Sequence, residues 1–213
     1  MDRLLEGIKG YRTTVLEDQE NFYETLKDGQ QPHTLFITCC DSRISTSDLT
    51  QTKPGEMFVV RNVANIVPPY RETDEYVATT SAIEYAVTVL GVDHIIICGH
   101  SDCGGCKAGL YGTATEEDLP HTKRWLTLLE EVRDKVLEME EEPGVQERMM
   151  EQANILAQLE NIKTFPKIKK GLEEGSLTLH GWYFNVATGE VFQYDEEEGD
   201  FILINEIEES SLY

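Results

Sequence analysis

Long apolar runs, basic residues and linker-like stretches are all scarce in this 213-residue chain, and each shortage removes a class of function. Nothing approaches the roughly 18 consecutive apolar residues of a membrane-spanning helix, so no membrane partner is expected. Only 18 lysines and arginines stand against 40 aspartates and glutamates, a formal net charge of -22. A field of that sign repels nucleic acid and anionic lipid, so neither is expected as a partner. The opening MDRLLEGIKGYRTTVLEDQE spreads its charges throughout and has no apolar core of a secretory signal, which points to the cytoplasm. No internal repeat or Pro/Gly-rich hinge divides the chain. We therefore expect one domain over 1–213, with a helical arm at 1–30 and an acidic tail at 196–213. Cysteines number five, an odd count, crowded into 39–40 and 98–106. That distribution suits a reducing compartment and a metal site better than a disulfide framework.

Apolar content of 40% and charged content of 27% fit a globular protein with a real core. HTLFITCC (33–40), EMFVVRN (56–62) and DHIIICGH (93–100) read as strands. The first and third are nearly continuous apolar runs, as in strands covered on both faces of a parallel sheet. Between the second and third, Tyr76, Thr80, Ile83, Val87 and Leu90 step by four and three, a helical face closed by Gly91. Strand, helix, strand implies a right-handed crossover, so the predicted fold is α/β with a mostly parallel central sheet flanked by helices. Trp125, Leu129, Val132, Val136 and Met139 form a later helical stripe, and Ile155, Leu159 and Ile162 another. SLTLHGWYFNVATGEVFQY then reads as two strands around a turn at Thr188-Gly189.

Chemistry gathers where the first and third strands end. In FITCCDSRIS, period-two alternation sets Cys39, Asp41 and Arg43 on one side and Cys40 and Ser42 on the other. This favours Cys39 as the working thiolate and leaves Cys40, like Cys98, as a small buried hydrophobe. In CGHSDCGGCKAG (98–109), His100 and Cys103 follow at H-x-x-C spacing with two glycines behind them. Thiolates and imidazoles on adjoining loops are zinc ligands, and a helix starting near Cys103 would stabilise the thiolate further. Cys39, His100 and Cys103 leave a fourth position for the water whose ionisation supplies hydroxide. Asp41 would orient that group and Arg43 hold the carboxylate, or Asp41 would ligate the metal and close the site. Cys106 is the competing fourth ligand. The remaining histidines, His33, His94, His121 and His180, read as isolated surface or core residues.

CCDSR and HSDCGG together resemble the paired C-x-D-S-R and H-x-x-C-G-G motifs of the β-class carbonic anhydrases, and the likeness runs from about residue 20 to 195 through GEMFVVRNVANIVPP and LHGWYFNVATGEV. The resemblance implies Cys39, His100 and Cys103 as ligands of one Zn2+ per subunit, with Asp41–Arg43 as the catalytic dyad. It implies Gln30, Phe58, Val63, Tyr85 and Gly104 as the substrate-binding set of a plant-like, open-site enzyme that interconverts CO2 and bicarbonate. It also implies a homodimer or larger homo-oligomer joined through the N-terminal arm. The framework also hosts carbonyl sulfide hydrolases, and a zinc module whose metal only holds the fold is the non-catalytic alternative.

Two positions depart from the family pattern. Phe36 and Thr38 stand where the branch with an inhibitory bicarbonate site carries tryptophan and glycine, so an open centre without that site is expected. Cys106 replaces an aliphatic residue. The acidic surface, concentrated in EEVRDKVLEMEEEPG and YDEEEGD, carries its own test. If it serves solubility at high salt, the melting temperature rises from dilute buffer to molar sodium chloride as self-repulsion is screened. A melting temperature indifferent to salt contradicts that role.

Overall fold

The computed structural model describes residues 1–16, 20–72, 75 and 77–204. They divide into a unit at Met1–Gln31 and one that begins at Pro32. In the first, α1 (Asp2–Tyr11) runs into a π-helical turn at Arg12–Leu16, and α2 spans Glu20–Leu26. Leu4, Leu5 and Ile8 recur at helical spacing, and α1 leaves all three exposed. Tyr11 and Tyr23 meet edge to face, 6.2 Å between ring centroids, with their hydroxyls hydrogen-bonded.

In the second unit the apolar runs become β1 (Thr34–Cys39) and, after the short α3 (Thr46–Thr50), β2 (Met57–Asn62). The helix α4 (Ala78–Tyr85) and a π-helical turn at Ala86–Leu90 lead to β3 (His94–His100). Gly91 ends that helix with φ 65°, the left-handed conformation glycine adopts without strain. Tyr76, counted on this helical face from sequence, lies outside the described residues. Beyond β3 come α5 (Gly104–Tyr111), α6 (Pro120–Leu126), α7 (Glu130–Met139), α8 (Pro143–Lys163) and α9 (Pro166–Glu173). The chain returns to the sheet as β4 (Thr178–Phe184), β5 (Val191–Asp195) and β6 (Asp200–Leu203).

The six strands lie in the order β2-β1-β3-β4-β5-β6. The pairings from β2 to β4 are parallel and the last two antiparallel, a mixed sheet flanked by helices. Every residue of β1 is buried, and every residue of β3 after His94, as their continuous apolar character requires. Residues 200–203, read from sequence as part of an acidic tail, form the edge strand β6 because Phe201 and Leu203 pair with Tyr194 and Phe192. Residues 205–213 lie outside the described part. The predicted stripe from Trp125 to Met139 is not one helix: a 3-10 turn at Thr127–Leu129 separates α6 from α7, and Met139 is exposed at the helix end.

Helix α8 crosses the sheet at close range. A Cβ on Gly99 would meet Ile155 Cγ1 at 2.7 Å, and one on Gly181 would meet Leu159 Cδ1 at 2.9 Å, so two glycines make its seat. Its inward face is not purely apolar. Gln158 Oε1 accepts the Val67 N–H at 2.8 Å, its Nε2 donates to Asn154 Oδ1 at 2.8 Å, and Asn161 Nδ2 donates to the Val67 carbonyl at 2.9 Å. Asn154 Nδ2 donates to the Ala64 carbonyl at 2.8 Å. This row ties the loop after β2 to α8, and Asn154 and Gln158 are wholly buried. Gln158→Leu strands the Val67 N–H and breaks the link to Asn154, each a buried unpaired group costing about 1–3 kcal/mol. Urea unfolding should show that loss; unchanged stability would refute the role given to the row.

Candidate metal centre

Parallel register brings the two motifs together. The last β1–β3 pair is Thr38 with Cys98, so Cys39 and His100 emerge side by side at the carboxyl edge of the sheet. There Cys39, His100 and Cys103 place their ligand atoms within 4.8 Å of one another, the sole group of this kind among the described residues. The two sulfurs are 3.9 Å apart. His100 is fully buried, and its Nδ1 meets the Ser101 carbonyl at 2.9 Å. That contact fixes the tautomer with the proton on Nδ1 and leaves a lone pair on Nε2. Nε2 is itself buried without a hydrogen-bond partner. An unpartnered imidazole lone pair between two sulfurs is costly unless something accepts it, and a donor set of two thiolates and one imidazole fits zinc.

Backbone groups prepare the sulfurs. The Ala64 N–H reaches Cys39 and the Cys106 N–H reaches Cys103. Ala64 and Asn65 bend the loop after β2 through φ 63° and 46°. Gly105 lets α5 close on that loop, since a Cβ there would meet Val63 Cγ1 at 2.8 Å and Ala64 Cβ at 2.9 Å. Behind the centre, Glu151 of α8 accepts the Cys103 N–H at 2.9 Å and the Tyr183 hydroxyl at 2.8 Å. Burial raises its carboxyl above the usual range.

The strand ends at Cys39, and the chain then turns, with the Ile44 N–H donating to the Asp41 carbonyl at 3.2 Å. Arg43 folds back on Asp41: Nε meets Oδ1 at 2.9 Å and an Nη meets Oδ2 at 2.7 Å. Its hydrogen bonds hold the Asp41 carboxyl well below the ordinary carboxylate range. Asp102 holds Arg43 from the other side, through its carboxylate and its carbonyl, both at 2.9 Å. Asp41 Oδ2 lies 4.0 Å from His100 Nε2, next to the ligand group and outside it. Arg61 clamps the turn, donating to the carbonyls of Cys39 at 3.0 Å and Asp41 at 2.7 Å. Sequence reasoning singles out neither Asp102 nor Arg61, although Arg61 sits in the RNVAN stretch that flags this loop.

Other predicted residues scatter. Val63 borders Gly105, and its carbonyl accepts the Trp125 indole N–H at 2.9 Å. Gly104 opens α5, and a Cβ there would meet nothing within 4 Å, so its contribution is its backbone alone. Phe58 and Tyr85 pair with each other, 5.9 Å between centroids, against the core under α4 rather than the one around the sulfurs. Gln30 stands exposed in the N-terminal unit. Cys40 corrects the sequence reading: it is exposed, because the chain has left the sheet there and only its N–H stays paired, to the Asn62 carbonyl at 2.9 Å. Cys98 is buried as expected. Three histidines read as isolated are neighbours at the opposite sheet edge, His33 to His94 at 6.4 Å and His94 to His180 at 6.2 Å. Phe36 and Thr38, the two departures, are wholly buried; Phe36 packs edge-on against Trp182, and the Thr38 hydroxyl donates to the Cys98 carbonyl at 2.9 Å.

The carbonic anhydrase family profile matches residues 34–191. The chain is 38% identical to the carbonic anhydrase of Synechocystis sp., across all of this chain and 79% of that one. It is 33% identical to the carbonic anhydrase of Helicobacter pylori strain J99, covering 94% and 93% of the two. Among solved structures, the β-carbonic anhydrase CcaA superposes with TM-score 0.90 at 38% identity over 95% of this chain and 91% of that one. A tetrameric β-carbonic anhydrase of Sordaria macrospora gives 0.79 at 30% identity over 90% and 95%.

Both candidate ligand thiols are pushed well above the usual thiol range, Cys39 through its hydrogen bond with Cys103 and burial, Cys103 through Cys106 and burial. A metal must displace both protons, so zinc affinity rises with pH, by up to about a hundredfold per unit. Chelator competition at two pH values, with proton release followed by an indicator dye, should show this; pH-independent affinity would mean the thiols are not the ligands.

Proposed function

Since the chain belongs to the carbonic anhydrase family, in its β class, and catalyses the reversible hydration of CO2 to bicarbonate, we propose that Cys39, His100 and Cys103 hold a catalytic zinc with Asp41 and Arg43 as its working dyad. The observation that carries this reading is the buried, unpartnered His100 Nε2 facing two sulfurs. Zinc bound there would lower the pKa of a water molecule to about 7 and supply a nucleophile at neutral pH.

The protein groups do the rest. Asp41, kept ionised by Arg43, accepts the nucleophile's proton in a hydrogen bond and directs its lone pair toward substrate. Arg43 cannot swing away without breaking its contacts to Asp102, so the direction of that carboxylate is fixed before substrate arrives. The bidentate pair with Arg43 turns the Asp41 carboxylate toward the guanidinium and outside the ligand group, which supports an open fourth position rather than a metal closed by Asp41. The Gly104 N–H, at the start of α5, would donate to the oxygen that gains charge as CO2 becomes bicarbonate. CO2 is small and uncharged, so apolar surface such as Val63 suffices to hold it. Phe58 and Tyr85, which pack against the core under α4, stay in the proposed substrate-binding set on the family resemblance alone, as does Gln30.

We also propose a homo-oligomer and a cytoplasmic location. The exposed Leu4, Leu5 and Ile8 of α1 favour a partner subunit, and the Sordaria relative is a tetramer. No helix among the described residues is long and apolar enough to cross a membrane.

Stopped-flow CO2 hydration on zinc-quantified protein should be fast and rise from pH 7 to 8.5. Slow hydration beside rapid sulfide release from carbonyl sulfide would instead assign the hydrolase. Asp41→Asn should lower kcat by about a hundredfold or more while zinc content stays complete. Loss of zinc in that variant would make Asp41 a ligand and the open site wrong.

A further inference from the structure

Cys106 is a buried thiol that the metal centre leaves unused. With Cys103 it forms Cys-Gly-Gly-Cys at the start of α5, an eight-residue helix. Cys103 is the extended N-cap of α5, and an N-cap side chain folds back over the third helical residue, here Cys106, which leaves a short separation between the two side chains. That separation needs only a small closing movement to meet disulfide geometry. Neither intervening residue has a side chain to obstruct it. The Cys106 N–H reaches the Cys103 sulfur and ties the two residues together, and both are buried, with 1% of Cys103 and 2% of Cys106 exposed. Asn154 Nδ2 lies 3.5 Å from Cys106 Sγ and supports a sulfur that gains negative charge. Cys106 stands outside the group whose ligand atoms converge, so it is available as a resolving thiol for Cys103.

Cys39 is the other sulfur beside Cys103, at 3.9 Å. That spacing is what two ligands of one tetrahedral metal require. Joining Cys39 to Cys103 would drag the end of β1, which is held in register by β2 and β3 and by Arg61. Joining Cys103 to Cys106 moves only the first turn of α5.

We propose that Cys103 and Cys106 form a reversible disulfide that removes Cys103 from the metal, which makes this centre sensitive to low-molecular-weight disulfides. The inference rests on Cys103 being a zinc ligand. The Cys103 thiolate attacks one sulfur of the small disulfide, breaking its S–S bond and releasing one thiolate, which takes up a proton. Cys106 then gives up its proton, and its sulfur attacks Cys103, breaking the mixed disulfide and releasing the second thiol. Two protein thiols are oxidised and one small disulfide is reduced to two thiols. Only Cys39 and His100 would then remain to hold a metal, too few to retain it.

The test uses zinc-loaded protein, its zinc content measured first, treated with bis(2-hydroxyethyl) disulfide. Zinc release is followed with a chromogenic chelator, thiols are counted after denaturation, and the linkage is mapped by peptide mass. The free-thiol count should fall by two from the five cysteines, with a Cys103–Cys106 peptide and zinc released in step. Dithiothreitol and added zinc should restore both. Cys106→Ala should slow zinc release about tenfold or more, because the resolving thiol is gone; Cys106→Ser should do the same while preserving volume. A Cys39–Cys103 linkage, equal release from the variants, or holoenzyme that resists oxidation would overturn the proposal. Failure to load zinc at all would instead strike the assignment of the ligands.

Discussion

The parallel pairing of β1 with β3 is the constraint on which the rest depends. Because Thr38 faces Cys98, the two strands finish together and deliver Cys39 and His100 to one edge. A slip of one residue would turn every buried side chain to the opposite face, and both strands are buried on both faces. The register that packs the core is therefore also the register that assembles the centre. Such a site at the carboxyl ends of parallel strands is where α/β sheets offer loops and helix starts to a ligand.

Strand ends alone do not fix a metal geometry. The third member of the group, Cys103, lies on the connection between β3 and α5, and three separate anchors hold that connection. Glu151 takes the Cys103 N–H, Asp102 grips Arg43, and Gly105 closes on the Val63–Ala64 turn. Asn154 fastens the same turn to α8 through the Ala64 carbonyl. Helix α8 thus holds both loops of the site from behind, with polar side chains satisfied at each end. The arrangement keeps the three candidate ligands in place and leaves His100 Nε2 buried without a hydrogen-bond partner.

Much of this was legible in the sequence. Doubly buried strands announce themselves as unbroken apolar runs, and β1 and β3 do so. The three residues that converge were picked out by types whose chemistry has few other uses at that spacing. Alternation puts Cys39, Asp41 and Arg43 on one side, and they do converge, although through a turn after Cys39 rather than a continuing strand. That same turn exposes Cys40, which alternation assigns to packing. The polar face of α8 was not legible, since Glu151, Asn154 and Gln158 look like solvent-facing residues until their partners, 48 to 91 positions away, are known. The grouping of His33, His94 and His180 was hidden for the same reason: only the strand order brings them together.

The proposed catalysis would depend on a zinc held by two sulfurs and one imidazole, with Cys106 not among its ligands. Zinc K-edge X-ray absorption on freshly purified, reduced protein reads this directly, since Zn–S distances near about 2.3 Å separate from Zn–N and Zn–O distances near about 2.0–2.1 Å. Two sulfur scatterers with two lighter ones is the predicted result. Three sulfurs and one nitrogen would place Cys106 on the metal, close the fourth position and contradict the open catalytic centre.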